Sequence, residues 1–235
     1  MITTDYHTHT LYSHGKGTVE QNVQAAIAAG LDAVAISEHG PGHLFYGVRG
    51  GKLASLKRQI QALNTQYGDK IRILTGMECN LTGFGLCDFP EGDAGYDILL
   101  LGVHKGIWPR DRYALSWSKE ALGLGKADPL TLANALLAAA EKYRIQMISH
   151  PGLYVQVDMP TLARGAAQLG VWLELNESHR GLSPAEVAEA ARLGAKFALS
   201  SDAHRPADVG RVSAAYQLAE QAGILSSVVN LRTRA

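Results

Sequence analysis

The sequence predicts an α/β fold in which parallel strands alternate with helices and close into a TIM-like (β/α)7 barrel. Two observations support this prediction. Short runs of β-branched and apolar residues alternate with longer amphipathic stretches, and about seven repeats fit a barrel better than an open sheet. The 235 residues, of which 46% are hydrophobic, also suit the length of one α/β barrel. Because no linker, low-complexity segment or internal repeat divides the chain, we expect a single domain over residues 1–235.

Seven segments have the character of strands, because each is a short run of β-branched or apolar residues. In chain order they are ITTDYH at 2–7, DAVAISEH at 32–39, IRILTGMECN at 71–80, YDILLLGVHK at 96–105, IQMISHPG at 145–152, VWLELNES at 171–178 and KFALSSDAH at 196–204. A regular spacing of this kind, with a helix between successive strands, is typical of parallel sheets.

The ends of the first helix are marked by residue type. Thr18 and Gln21 form a capping box before apolar residues at helical spacing. Gly30 then closes that helix, because glycine adopts the backbone conformation that ends helices at little cost.

Three later helices are predicted in the same way. Asp128 and Pro129 begin one that continues to about Tyr143. A second begins with a capping box in the segment SPAE at 183–186, which has proline at the first helical position, and ends near Gly194. A last helix is expected from about 207 to 222.

Two longer segments lack a regular pattern. They are GPGHLFYGVRGG at 40–51 and the stretch 106–127. In a parallel barrel, loops of this length after a strand lie over the face that carries the active site.

Composition restricts the partners and the location. With 22 basic and 22 acidic residues the formal net charge is zero, so we expect a small or locally bound substrate and no extended nucleic-acid groove. The first residues lack the basic and apolar regions of a signal peptide, and no apolar run reaches transmembrane length, so we expect a cytoplasmic protein that does not enter a membrane. Cys79 and Cys87 do not form a disulfide framework or a CxxC metal motif, which fits a reducing compartment.

Histidines and carboxylates gather at the carboxyl ends of six predicted strands. In chain order the set is His7, His9, His14, His39, Glu78, His104, His150, Asp202 and His204. In a parallel barrel the loops and the catalytic residues collect at this end, whereas structural histidines would be scattered. Residues two apart, such as His7 and His9, project from the same side of a strand and can hold one site as a pair. Nine such ligands suit Zn²⁺, Mn²⁺ or Fe²⁺ and exceed what one ion can use, so we expect two or three divalent ions.

The motifs that contain these residues resemble the successive motifs of the PHP (polymerase and histidinol phosphatase) family of metal-dependent phosphoesterases. They are HTHT at 7–10, SEH at 37–39, GMECN around Glu78, GVH at 102–104, SHPG at 149–152 and SSDAH at 200–204. The likeness runs from residue 5 to about 210. The histidine at 14, the Glu-His pair at 38–39 and the tail SDAHRPADVG resemble the histidinol-phosphatase-like branch.

The resemblance implies a distorted seven-stranded barrel that holds up to three metal ions. By motif, one centre would use His7, His9, Glu78 and Asp202, a second Glu78, His104 and His150, and a third His14, His39 and His204. Glu78 would therefore bridge two ions.

The chemistry expected of such a site is hydrolysis of a small phosphomonoester. Several divalent ions make the cavity electropositive, and a hydroxide held by them near Glu78, Asp202 and His104 is a competent nucleophile at neutral pH. We expect direct attack on phosphorus without a phosphoenzyme. Histidinol phosphate is a specific candidate substrate because of the branch that the motifs resemble.

Four residues near the strand ends are candidate substrate contacts. Arg205, Lys105 and His179 could bind a phosphate or carboxylate, and Asn176 could orient a metal-bound water or a ligand. His43 and Arg180 lie in loops of the same face, and the sequence does not separate a role in binding from a solvated loop position.

Three other interpretations remain open. A phosphodiesterase or exonuclease acting on nucleotide ends would use a similar site, although the neutral charge is mildly against it. An amidohydrolase-type hydrolase also begins with HxH, but usually carries a bridging lysine where this chain has His104. A metal-stabilised module without catalytic activity is the third.

Overall fold

The computed structural model describes residues 1–90, 92, 94–179 and 181–232. Within these residues the strands are β1 Thr4–Asp5, β2 Ala33–His39, β3 Arg72–Gly83, β4 Leu86–Cys87, β5 Ile98–Gly102, β6 Met147–Ile148, β7 Trp172–Asn176 and β8 Lys196–Ser200. Seven of them pair in parallel in the order β1-β2-β3-β5-β6-β7-β8, and β4 pairs antiparallel with β3. These seven coincide with the predicted strands, so the predicted barrel is confirmed. The hairpin that β3 and β4 form beyond Asn80 was not predicted.

The barrel is nearly closed by contacts between its first and last strands. Beyond β1 and β8, Thr8 bridges Ala203 in parallel, and the His9 amide donates to the Ala203 carbonyl at 2.8 Å. Closer to the other end, Asn230 fills the gap between the strands. Its side chain accepts from the Leu199 amide at 3.0 Å and donates to the Thr4 carbonyl at 2.8 Å.

Seven α-helices occur in the described residues: α1 Val19–Ala28, α2 Gly51–Tyr67, α3 Arg112–Ala121, α4 Pro129–Tyr143, α5 Met159–Leu169, α6 Pro184–Arg192 and α7 Ser213–Gln221. Both predicted capping boxes are present, with Thr18 and Ser183 as the N-caps of α1 and α6. Helix α4 begins and ends where the sequence indicated. No helix in this part of the chain combines the length and the apolar character that a membrane span requires.

Two predicted boundaries were wrong. The last helix was expected from 207 to 222, but Pro206–Asp208 form a 3₁₀ turn and α7 begins only at Ser213. The break lies at Gly210, whose φ of +77° does not fit a helix. The stretch 106–127 was expected to be irregular but contains α3, which Asp111 caps by accepting from the Ala114 amide at 2.8 Å.

The interior of the barrel is apolar at one end and polar at the other. The apolar cluster inside the sheet consists of Ala33, Ala35, Leu74, Ile98, Leu100, Met147 and Ala198. On β5 the same period-two alternation continues from Leu100 through Gly102 to His104. A Cβ on Gly102 would lie 2.8 Å from Cε1 of His104 and 3.0 Å from Cε1 of His150, so glycine here leaves room for both rings. The apolar cluster therefore forms a floor beneath the histidines.

Candidate metal centre

Glu78 on β3 lies at the centre of the polar end, with 1% of its surface exposed. Its Oε1 is 3.0 Å from His104 Nε2 and 2.9 Å from His150 Nε2, and Ser149 Oγ donates to it at 2.9 Å. Its Oε2 is 2.9 Å from His39 Nδ1. Glu78 Oε2 and His39 Nδ1 are both buried, and neither forms a hydrogen bond of good geometry with a described residue. One carboxylate thus faces imidazoles from three strands, with one oxygen unsatisfied.

Asp202, just beyond β8, is the second buried carboxylate of the site. Its Oδ1 is 3.3 Å from His9 Nε2 and 3.6 Å from His7 Nε2. The same two ring nitrogens lie 3.6 and 3.3 Å from Glu78 Oε2, and 3.1 Å from each other. The paired histidines therefore stand between the two carboxylates, as their spacing of two residues predicted.

A group of imidazoles nearer the mouth consists of His14, His39 and His204. The ring centroid of His14 lies 4.9 Å from that of His39 and 4.1 Å from that of His204. Tyr46 also stacks on His14, at 4.3 Å between centroids and 17° between planes. His14 and His204 are half-buried, unlike the residues around Glu78.

Backbone strain is concentrated at two of these residues. His150 has φ +29° and Asp202 has φ +52°, in the left-handed region that side-chain-bearing residues rarely adopt. Such conformations cost on the order of 1–3 kcal/mol each and persist where surrounding contacts enforce them. Both turns follow short parallel strands and direct the side chains into the site.

The carboxylates and the deepest histidines shift one another's ionisation. Burial alone would lower the pKa of His7, but the charges of Glu78 and Asp202 hold it well above its usual value. Burial likewise opposes the charged form of His9, yet the neighbouring carboxylates of Asp202 and Glu38 raise its pKa to about 9. In return these histidines, with His104, hold the pKa values of both carboxyls well below their usual range despite burial. The carboxylates thus stay ionised and attract cations.

The imidazoles nearer the mouth show the opposite behaviour. Burial and the charge of His9 lower the pKa of His14 to about 3 and that of His39 to about 4. The pKa of His204 is lowered by the same two causes, and burial lowers that of His104. These rings are therefore neutral at physiological pH, which is the form in which histidine binds metal ions.

The donor set fits divalent metal ions. Four groups of three residues place their ligand atoms within 4.8 Å of one another: His9, His14 and His39; His7, His9 and Glu78; His9, Asp202 and His204; and His39, Glu78 and His104. Several of their ring nitrogens, and Glu78 Oε2, are buried without a hydrogen-bond partner in the described chain. Unsatisfied buried acceptors are costly unless a ligand completes them, and imidazole with carboxylate suits Zn²⁺, Mn²⁺ or Fe²⁺.

A model of one protein family, the PHP domain, matches residues 5–174. This range includes the first seven of the nine predicted metal ligands and most of the barrel. The chain belongs to the PHP domain family. The resemblance drawn from the motifs is thereby confirmed.

Similar proteins match the chain over almost its whole length. A protein of Aeromonas hydrophila named "Probable phosphatase" is 30% identical, over 94% of this chain and 86% of its own length. A probable phosphatase of Thermoanaerobacter is 28% identical over 96% and 88%. Among solved structures, histidinol phosphate phosphatase from Lactococcus lactis, complexed with zinc, L-histidinol and phosphate, superposes with a TM-score of 0.62 over 96% of this chain and 93% of its own. At 17% identity, that likeness concerns the fold.

The structure brings all nine predicted ligands of this PHP domain to one end of the barrel. Seven are buried, and His14 and His204 are half-buried at the mouth. His39 is the last residue of β2 and Glu78 lies within β3. The others follow strands that are two to five residues long, shorter than the sequence indicated. Their assignment to three ions stays a prediction.

The four predicted substrate contacts differ in position. Lys105 and His179 line a cavity of about 290 Å³ that the histidines also line, and His179 Nε2 lies 3.4 Å from Asp202 Oδ2. Asn176 is buried behind the cavity and donates to Asp202 Oδ2 at 3.2 Å. Arg205 is exposed and is not among the described residues that line the cavity. Arg180 lies outside the described residues.

His43 is a cavity residue whose role the sequence left open. It is buried, and its Nδ1 accepts weak hydrogen bonds from the Phe45 and Tyr46 amides at 3.4 and 3.3 Å. Burial and the neighbouring His39 lower the pKa of His43 to about 4. A neutral ring that accepts at Nδ1 carries its proton on Nε2, so His43 is a hydrogen-bond donor at the cavity wall.

Sequence reasoning missed other parts of the site. Phe45, Tyr46 and Tyr154 form aromatic walls of the cavity. Glu174 on β7 is 1% exposed and bonds to His7 Nδ1 at 2.8 Å. It could have been found, because it lies two residues before Asn176 and so on the same face of the strand. The aromatic walls belong to loops, for which a period-two pattern gives no signal.

Proposed function

We propose that this chain is a metal-dependent phosphatase that hydrolyses phosphomonoesters of a small metabolite. The observation that carries the proposal is the convergence of seven imidazoles and two ionised carboxylates at one end of the barrel, where Glu78 faces the histidines of three strands. Membership of the PHP domain family and the phosphatase names of its relatives support it.

Three sets of residues would hold the ions. His7, His9 and Asp202 would hold one, His104 and His150 a second, with Glu78 shared between them. His14, His39 and His204 would hold a third. Divalent ions at these positions supply Lewis acidity to the phosphoryl group and to the attacking water. We assign Glu78, Asp202 and His104 to the surroundings of that water. It would attack phosphorus as the bond to the leaving oxygen breaks, and the proton that it loses would end on that oxygen, so that the products are the alcohol and inorganic phosphate.

The remaining cavity residues bind the substrate and exclude bulk water. Among the described residues that line the cavity, Lys105 is the one lysine, and no arginine is present. Its ammonium group lies 5.1 Å from the Tyr154 ring centroid. It would neutralise part of the phosphate charge. His179 and the Nε2–H of His43 would donate hydrogen bonds to phosphoryl or leaving-group oxygens. The aromatic walls limit the entry of water to a cavity of small-metabolite size.

Histidinol phosphate is the specific substrate candidate. A fold neighbour is a histidinol phosphate phosphatase whose structure holds zinc, L-histidinol and phosphate. The zero net charge and the roughly 290 Å³ cavity also favour a small compact ester over a long polyanion.

The test compares substrates and metals on one preparation. We expect p-nitrophenyl phosphate and histidinol phosphate to be hydrolysed with Mn²⁺, Zn²⁺ or Fe²⁺, and bis-p-nitrophenyl phosphate to be hydrolysed much more slowly. Asp202→Asn should lose metal and nearly all activity, while Asp32→Asn, an exposed residue at the opposite end of the barrel, should keep both. Faster turnover of the diester would favour a phosphodiesterase instead, and full activity of a folded Asp202→Asn protein would sink the assignment.

A further inference from the structure

Strand β7 carries none of the nine assigned metal ligands, yet it contributes one of the most deeply buried carboxylates of the described chain. Glu174 is 1% exposed and lies inside the barrel. A carboxyl group withdrawn from water in this way requires several hydrogen bonds to compensate its lost hydration.

Both oxygens of Glu174 are used on the metal-binding residues. Oε1 lies 2.8 Å from His7 Nδ1. Oε2 accepts from the backbone amide of His150 at 2.7 Å and from Asn176 Nδ2 at 3.0 Å. Asn176 Nδ2 also donates to Asp202 Oδ2 at 3.2 Å. One carboxylate therefore contacts two ligands directly and a third through Asn176.

The contact with His7 fixes which ring nitrogen carries the proton. Oε2 already accepts from two N–H groups, so the geometry is that of a carboxylate, whose Oε1 accepts from the N–H on His7 Nδ1. In the neutral ring that binds a metal ion, the lone pair of His7 is then on Nε2, which lies 3.3 Å from Glu78 Oε2 and 3.6 Å from Asp202 Oδ1. That nitrogen faces the place where an ion would sit.

The contact with His150 acts on the backbone. His150 has φ +29°. Its amide donates to the side chain of Glu174 on β7 and not to a backbone carbonyl of that strand. The strained turn directs the His150 ring to Glu78 Oε1 at 2.9 Å. The same carboxylate thus stabilises the conformation that brings a second ligand into place.

We propose that Glu174 is a positioning residue that fixes the tautomer of His7 and the turn at His150, and so determines the affinity of the central metal sites. The proposal rests on the metal sites of the proposed function, and it does not depend on which substrate is hydrolysed. Partners of this kind that orient metal-binding histidines typically change metal affinity about 10–100-fold when they are replaced.

Glu174→Gln is the diagnostic change because it preserves the volume. If the amide nitrogen takes the place of Oε2, it faces two donors, the His150 amide and Asn176 Nδ2. If it takes the place of Oε1, it donates to His7 Nδ1 and leaves the proton on Nε2, where the ion should bind. Either orientation conflicts with the arrangement observed.

The experiment titrates metal-free protein with Co²⁺, followed by its visible absorption, and measures bound zinc by elemental analysis. We expect Glu174→Gln to bind the tightest ions about 10–100-fold more weakly than the unmodified chain. Glu177→Gln is the matched control, since Glu177 lies three residues on and bonds to the Ala214 and Ala215 amides of α7. Its metal affinity should be unchanged. A folded Glu174→Gln protein with unchanged affinity would overturn the proposal.

A second measurement needs no variant. Long-range ¹H–¹⁵N correlation spectra of the unmodified zinc-loaded protein report the protonated nitrogen of each histidine ring. We expect His7 to carry its proton on Nδ1, and a proton on Nε2 would equally overturn the proposal. Neither readout uses activity, so a chain that binds metal as described but hydrolyses no phosphomonoester would contradict only the proposed function.

Discussion

The two halves of the candidate metal site differ in the charge of the side chains that would bind the ions. The central half around Glu78 and Asp202 contains two ionised carboxylates at 1% and 4% exposure, and histidines that share their charge. The half nearer the mouth contains His14, His39 and His204, neutral rings whose own group includes no carboxylate. Anionic ligands hold a divalent ion more strongly than neutral ones, especially where water is excluded. We therefore expect the central ions to be part of the stable fold and the outer ion to exchange.

The largest effect should follow from removing Glu78, the carboxylate that we propose both central ions share. Glu78→Gln keeps the volume but removes the charge that faces His39, His104 and His150. We expect it to lose central metal and to reduce hydrolysis by more than about 100-fold, beyond the effect usual for residues that only orient ligands. Metal content and kcat measured on the same sample check this. Glu189→Gln, an exposed change on α6, is the control, and a variant that keeps its full metal content would contradict a bridging role.

Stepwise removal of metal should separate the two halves. A chelator added in increasing amounts is expected to remove one equivalent first, from the outer group, and the remainder only at much higher concentration. His14→Ala should reproduce the first step, with one equivalent missing, central metal retained and a smaller loss of activity than in Glu78→Gln. Elemental analysis after each step is the measurement. Simultaneous loss of all ions, or a His14→Ala protein with full metal content, would show that the halves are not independent.

Thermal unfolding extends this comparison. A ligand that binds only the folded chain stabilises it by about 4 kcal/mol at a thousandfold excess over its Kd. The central ions should therefore raise Tm strongly and the outer ion only slightly. Scans at each step of the chelator series would show whether Tm falls mainly when the last equivalents leave.

Metal binding should release protons from the central half of the site but not from the half nearer the mouth. In the metal-free chain, the neighbouring carboxylates of Asp202 and Glu38 outweigh burial and raise the pKa of His9 to about 9, so at pH 7.5 this ring is protonated. A metal ion must displace that proton, and its apparent affinity should rise with pH until about pH 9. His14 and His39, with pKa values of about 3 and 4, are already neutral above pH 5, so the outer ion should release no proton. Calorimetric titrations in buffers of different ionisation enthalpy measure the protons released, and equal release at every site would contradict the distinction.

The sequence was informative about the central half for a physical reason. Parallel strands place their carboxyl ends together, so histidines and carboxylates that end successive strands must meet, whatever the lengths of the strands. The period of two also accounted for the pairing of His7 with His9. The same period places Glu174 on the face of β7 that carries Asn176. It lies two residues deeper in the barrel than Asn176, which ends the strand.

Features built from loops and from long-range contacts were not predictable in this way. The hairpin of β3 and β4 and the aromatic walls lie in segments that carry no repeating pattern. Helix α3 is different, because its buried residues Ala114, Trp117 and Ala121 follow the period of a helix after the N-cap Asp111. The closure of the barrel by Asn230 depends on contacts with Thr4 and Leu199, which are distant in sequence. Arg205 follows a ligand directly in sequence, but it is exposed at the N-cap of the 3₁₀ turn that begins at Pro206.

The smallest effect concerns the mouth of the cavity, where Lys105 is exposed beside Tyr154. Lys105→Gln removes one positive charge without touching a predicted metal ligand. Because an exposed ion pair contributes about 1 kcal/mol or less, we expect KM for a phosphomonoester to rise about threefold to fivefold, with kcat nearly unchanged. The difference should shrink at high salt, since screening weakens exposed charges. Lys196→Gln, at the start of β8 and the opposite end of the barrel, is the matched control. A fall in kcat with unchanged KM would instead place Lys105 among the groups that act on the transition state, and the division between a catalytic centre and a binding mouth would have to be redrawn.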